Sequence, residues 1–122
     1  MRKSNLFIVE DDADTREMLE VLLSSYFNCR VAASRDDALE ALKSGYVPAC
    51  VLMDYSMPGL SLDEFMLQSK SYKLGIVLTT AHSEADDIAR KFGIRCIIKP
   101  IRPDELIATI QQVIGSGERA AI

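Results

Sequence analysis

Leu6-Phe7-Ile8-Val9-Glu10-Asp11-Asp12 sets four apolar residues directly against three acids. The apolar run is continuous rather than alternating, and it carries β-branched and aromatic side chains. That pattern predicts a strand buried on both faces, as in a parallel sheet. Asp12 is a good helix N-cap, and Leu19, Leu22, Leu23 and Tyr26 recur behind it at helical spacing. The stretch therefore reads as a strand, a polar turn and an amphipathic helix that packs back over the strand.

The same unit recurs outward along the chain. Cys29-Arg30-Val31-Ala32 is a weaker strand; Ser34 and Asp37 frame a helix start, and Ala38, Leu39, Ala41 and Leu42 carry it to Gly45. Ala49-Cys50-Val51-Leu52-Met53 is a third apolar run, followed by the turn Ser56-Met57-Pro58-Gly59. Ser61-Leu62-Asp63-Glu64 has the form of a capping box, with Leu62, Phe65 and Met66 on one helical face. Ile76-Val77-Leu78 predicts a fourth strand. A cap over 83–86 then opens a helix through Ala85, Ile88, Ala89 and Phe92, stopped at Gly93. Cys96-Ile97-Ile98 is a fifth short strand. Pro103 suits the first turn of a last helix whose Leu106, Ile110 and Val113 face inward. Five strand–helix pairs predict an α/β, doubly wound (βα)5 fold of the flavodoxin-like class, with a five-stranded parallel sheet covered on both faces.

A chain of 122 residues fits one domain, 1–122, with a core over about 5–114 and a flexible tail over 115–122. Net charge is -4, from 14 Lys+Arg against 18 Asp+Glu, which argues against a nucleic-acid partner. No apolar run approaches the ~20 residues of a membrane span, and no signal peptide opens the chain, so neither a membrane nor export is expected. Cys29, Cys50 and Cys96 are odd in number and widely spaced, which predicts buried free thiols in a reducing, cytoplasmic setting. One histidine and no thiol cluster leave a zinc site almost without ligands.

Ligands of such sheets bind beyond the carboxyl ends of the strands. The polar residues there are Glu10, Asp11 and Asp12, then Asp54, then Thr79 and Thr80, then Lys99. Two like charges ~4 Å apart repel by roughly 4 kcal/mol at an effective dielectric near 20. Converging Glu10, Asp11 and Asp54 thus need a counter-charge beyond Lys99, and Mg2+, a hard cation held by one or two carboxylates and waters, suits them. Acids in the first loop would repel a phosphate, which argues against a flavin-nucleotide site. A carboxylate beside Mg2+, an ammonium and a hydroxyl can attack a phosphoryl group and hold it as an aspartyl phosphate.

Val9-Glu10-Asp11-Asp12, Met53-Asp54-Tyr55-Ser56-Met57-Pro58-Gly59, Thr80-Ala81 and Lys99-Pro100 together resemble the receiver domain of bacterial two-component response regulators. The resemblance spans roughly 6–114 and implies the strand order 2-1-3-4-5. It implies that Asp54 is the phosphoacceptor, served by a sensor histidine kinase or a histidine phosphotransfer protein. Asp11 and the Ser56 backbone carbonyl would ligate Mg2+ with Asp54, and Glu10 would hold it through water. Lys99 would contact Asp54 and then the phosphoryl group, Thr80 would follow that group inward, and Pro100 would follow a cis peptide bond. The chain would catalyse only its own phosphorylation and dephosphorylation, rather than act as an enzyme on other substrates. Its output would be an unknown partner protein, since no DNA-binding segment is visible.

Three departures from the family pattern stand out. Cys96 replaces the aromatic residue three before the lysine, so no ring can switch there. Ser61-Leu62 replaces Asp-Gly, which predicts a differently shaped turn capped by Ser61. The stretch from Thr80 to Lys99 is short, which predicts a shortened fourth helix and makes the usual receiver dimer doubtful; a monomer or weak dimer is expected. His82 and Ser56 would flank the path of a water attacking the phosphoryl group and tune its lifetime. Two other readings compete. A haloacid-dehalogenase-like phosphatase would need an acid two residues after the nucleophile, where Ser56 stands. A degenerate receiver would bind its partner without phosphorylation.

Overall fold

The computed structural model describes residues 2–83 and 85–121. In chain order it contains β1 (Asn5–Val9), α1 (Ala13–Leu23), β2 (Asn28–Ala32), α2 (Arg35–Lys43), β3 (Cys50–Asp54) and α3 (Leu62–Gln68). A single 3-10 turn at Lys70–Tyr72 follows, then β4 (Ile76–Thr80), α4 (Ala85–Phe92), β5 (Arg95–Ile98) and α5 (Pro103–Ser116). All strand pairings are parallel, and the order is β2-β1-β3-β4-β5. The expected doubly wound sheet is therefore present, with the expected strand order.

Burial follows position in the sheet. Every residue of β3 and β4 is buried, whereas the edge strands β2 and β5 mix buried and exposed positions. On one face Phe7, Val9, Val51, Met53 and Leu78 pack with Leu39, Leu42, Phe65, Met66 and Phe92 from α2, α3 and α4. On the other, Leu6, Ile8, Leu52 and Val77 pack with Leu19 and Leu23 from α1 and with Leu106, Ile110 and Val113 from α5. Each fully buried Leu, Ile or Phe side chain contributes about 1.5–3 kcal/mol.

The helix starts are set by side chains legible in the sequence. Asp12, Ser34 and Ser61 accept from the backbone N–H of Thr15, Asp37 and Glu64. Pro103 opens α5, where a missing N–H costs nothing. The box at Ser61 is half formed, because Glu64 Oε1 accepts instead from Gln68 Nε2 at 2.9 Å.

Several expectations shift. Tyr26 is exposed and Phe27 takes the inner place. The amides of both residues bond to Leu23 O, a tightened turn that breaks the helical period. The third and fourth strands run on to include Asp54, Thr79 and Thr80. Gly115 and Ser116, expected in a tail, form the last turn of α5. Ala120 and Ala121 then donate backbone N–H groups to Leu74 O and Phe92 O, joining the end of the chain to the sheet's lower edge. Of the thiols only Cys50 is buried; Cys29 and Cys96 are half-buried, and all three are free. α4 has eight residues, in keeping with the short stretch that holds it. Glu84, within the expected cap, and Ile122, within the expected tail, lie outside the described residues.

Candidate functional site

The parallel register brings the strand ends to one edge. Val9 pairs with Met53, Asp54 with Thr79, and Thr80 with Ile98. The residues at or just beyond those pairs are Glu10, Asp11, Asp54, Thr79, Thr80 and Lys99. Carboxylate oxygens of Glu10, Asp11 and Asp54 all lie within 4.8 Å of one another. Glu10 and Asp54 are buried, and Asp11 is exposed. Lys99 Nζ lies 3.1 Å from Asp54 Oδ1. The Lys99–Pro100 peptide is cis.

Three acids and one ammonium leave the cluster with excess negative charge. Glu10 registers it. Burial raises its carboxyl to about 7, and the Asp54 charge and a hydrogen bond with Asp11 push the same way against the Asp12 amide and Lys99. A site that drives a carboxyl to take up a proton near neutrality suits a divalent cation. The donors are all oxygens, as Mg2+ prefers.

The two threonines make different contacts. Thr79 Oγ1 faces Asp54 Oδ1 at 3.5 Å. Thr80, fully buried, accepts the His82 N–H at 2.9 Å and so ties back its own loop. His82 itself is exposed on that loop, as is Ser56 on the loop after β3. Cys96 lies half-buried in β5; burial, with Asp86 beside it, pushes its thiol up to about 11. Ser61 caps α3 and Leu62 is buried at its start. The left-handed residue of this turn is Gly59, φ 85°, where a side chain would be strained.

Sequence reading passed over Thr79's contact and two arginines. Arg16 Nη1 donates to Glu10 O at 2.9 Å, bracing the loop after β1. Arg35, the first residue of α2, is 2% exposed. Its guanidinium donates to Leu60 O at 3.0 Å, Asp54 O at 3.0 Å and Tyr55 O at 2.7 Å, and Nε points at Met53 Sδ. Burial lowers its pKa, against the pull of Asp54. Thr79 was within reach of the register argument, since it lies opposite Asp54. Arg35 carried no such signal, because an arginine at a helix start ordinarily faces solvent.

Residues 6–111 match the response regulator receiver domain family, and the chain belongs to it. It is 31% identical to the DNA-binding transcriptional regulator NtrC of Proteus hauseri, over 93% of this chain and 25% of that protein. It is 30% identical to the transcriptional regulatory protein FixJ of Bradyrhizobium diazoefficiens, over 98% of this chain and 60% of that one. The chain thus spans a quarter to six-tenths of the length of these relatives. Full-length FixJ from B. japonicum superposes with a TM-score of 0.84 at 29% identity, over 97% of this chain and 61% of that structure. The receiver domain of a Pseudomonas aeruginosa sensor histidine kinase, described with a magnesium ion in its active site cleft, shares the fold. Its TM-score is 0.81 at 20% identity, over 93% of this chain and 98% of that one. No helix among the described residues is long and apolar enough to cross a membrane.

Proposed function

We propose that this receiver is a Mg2+-dependent phosphoacceptor in a two-component relay, with Asp54 as the residue modified. The observation that carries the reading is Asp54 itself, buried, within reach of Glu10 and Asp11 and 3.1 Å from Lys99 Nζ. Glu10, Asp11 and Asp54, with the Ser56 carbonyl, would hold the cation. Bound there, Mg2+ supplies positive charge for the phosphoryl oxygens.

Asp54 uses a carboxylate oxygen as nucleophile. An O–P bond forms, the P–N bond of a donor phosphohistidine breaks, and its electron pair stays on the imidazole nitrogen. Lys99 neutralises charge on the transferring group, and Thr79 stands beside Asp54 Oδ1. Thr80 would exchange its bond with the His82 amide for one to the phosphoryl group and draw the loop inward. The phosphoryl group then leaves by attack of water, on a path flanked by Ser56 and His82. In this reading the donor is a sensor histidine kinase or a phosphotransfer protein, and the output is the binding of another protein. The chain acts on its own Asp54 and on no other substrate.

The test is intact-protein mass after incubation with Mg2+ and acetyl phosphate. One phosphoryl group should appear, and it should be absent without Mg2+ and in Asp54→Asn. No gain, together with no measurable Mg2+ binding, would favour an interaction module that works without phosphorylation.

A further inference from the structure

Arg35 sits behind the site rather than in it. Its guanidinium has five N–H groups, and four hydrogen bonds are formed, three of them to backbone carbonyls and one to a methionine sulfur. Among the described residues no carboxylate lies within ion-pair distance of it. A buried charge without a carboxylate partner is expensive, so its position needs a reason beyond packing. The three carbonyls supply one. Two belong to Asp54 and Tyr55 and the third to Leu60, so they bracket the segment that carries Ser56. The bracketed turn also contains Gly59 at φ 85°, a conformation that glycine adopts freely and a side chain would not. A planar fork that reaches both ends of a turn limits the turn's freedom in a way that one flexible ammonium cannot.

We propose that Arg35 is a positioning residue for the phosphoacceptor loop: by gathering the carbonyls of Asp54, Tyr55 and Leu60 it holds the Ser56 carbonyl where a divalent cation at the acidic cluster can use it. This rests on the Mg2+-dependent reading above. Arg35 touches neither cation nor phosphoryl group, and its effect passes through the backbone.

The sign of one measurement separates positioning from charge. Arg35 is also a positive charge near the acids. If charge were its only influence, removing it would tighten Mg2+ binding. If it holds the loop, removing it weakens Mg2+ binding despite the lost repulsion. A role confined to global stability would leave the affinity of the folded protein unmoved. The experiment titrates Mg2+ alone into the full chain, with Arg35→Met and Arg35→Lys alongside, each checked by a thermal melt to be folded at the assay temperature. Amide exchange over residues 55–60 is followed in the metal-free protein.

Arg35→Met should weaken Mg2+ binding about tenfold, equivalent to 1.4 kcal/mol. Arg35→Lys, which keeps the charge but loses the fork, should still weaken it, by about threefold, or roughly 0.6 kcal/mol. Exchange over 55–60 should rise in both. Unchanged or tighter binding by folded variants, or unchanged exchange, would overturn the proposal. If Arg35→Met does not fold, Arg35→Lys and the exchange data decide alone. A parent protein that binds no Mg2+ would remove the metal reading itself, an outcome distinct from a parent that binds and variants that match it.

Discussion

The two loops that flank Asp54 are held in opposite ways. The loop from β3 to α3 is gripped by Arg35 at both ends and capped by Ser61 on a helix whose Leu62 and Phe65 are buried. The loop from β4 to α4 is tied at its start by one side-chain acceptor, Thr80 Oγ1, and by short backbone turns from Ala85 to His82 and Asp86 to Ser83. The first loop carries a proposed metal ligand, which must keep its place. The second carries the threonine and histidine proposed to respond, so a tie that the Thr80 hydroxyl can exchange suits it. Fixed ligands and a movable sensor on neighbouring strand ends are the physical requirement of a phosphorylation switch.

Deleting the foundation of the fixed loop should do most to break the contrast. Phe65→Ala empties a fully buried site in α3 and should cost about 3–5 kcal/mol, read by denaturant unfolding. A cost below 1 kcal/mol would mean that α3 does not anchor the loop. Glu10 gives the next effect. Its carboxyl lies near 7 in the metal-free fold against 4.5 when free, so folding favours the protonated form. That contribution is complete below pH 4.5 and is lost as pH rises through about 7. Glu10→Gln should therefore stabilise the metal-free protein at pH 8, by about 2–3 kcal/mol relative to parent, and change little at pH 4. A difference that does not depend on pH would refute the assignment.

Two smaller substitutions sharpen the comparison because each loosens one loop. Ser61→Ala and Thr80→Val should each cost about 1 kcal/mol. Faster exchange should centre on Glu64 in the first and on His82 in the second. Spread of either effect into the other loop would show that the two are coupled rather than separate. The smallest effect belongs to His82. His82→Ala should alter the rate of phosphoryl loss by about twofold, ~0.4 kcal/mol, and leave the rate of gain alone. Equal rates of loss in variant and parent would remove it from the water path.

Much of the molecule was written locally. Continuous apolar runs marked β1, β3 and β4, since a strand buried on both faces cannot alternate, weaker or shorter runs marked the edge strands β2 and β5, and the caps at Asp12, Ser34 and Ser61 placed three helix starts. Residue type at successive strand ends then pointed to Glu10, Asp11, Asp54, Thr79, Thr80 and Lys99, because parallel strands end on one edge; only the resemblance to receivers preferred Thr80 to Thr79. Tyr26 and Phe27 exchanged places because α1 ends at Leu23 and the turn that follows bonds both amides to Leu23 O, which moves the inward position by one residue and leaves no trace in the periodicity. The end of α5 ran further than its glycines suggested, because Glu118 donates its N–H back to Val113 O.

What the chain determines alone is therefore the set of strands, their burial and the kinds of groups at their carboxyl ends, all of which depend on neighbours in sequence. Tertiary structure decided the rest. Which threonine faces Asp54 depends on register across two strands, and which turns away depends on the β4 loop. That Arg35 lies buried among the carbonyls of Asp54, Tyr55 and Leu60 depends on α2 packing beside a loop 19–25 residues further on. Long-range contacts of that kind leave no period and no spacing in the sequence, because the acceptors are backbone carbonyls that every residue possesses.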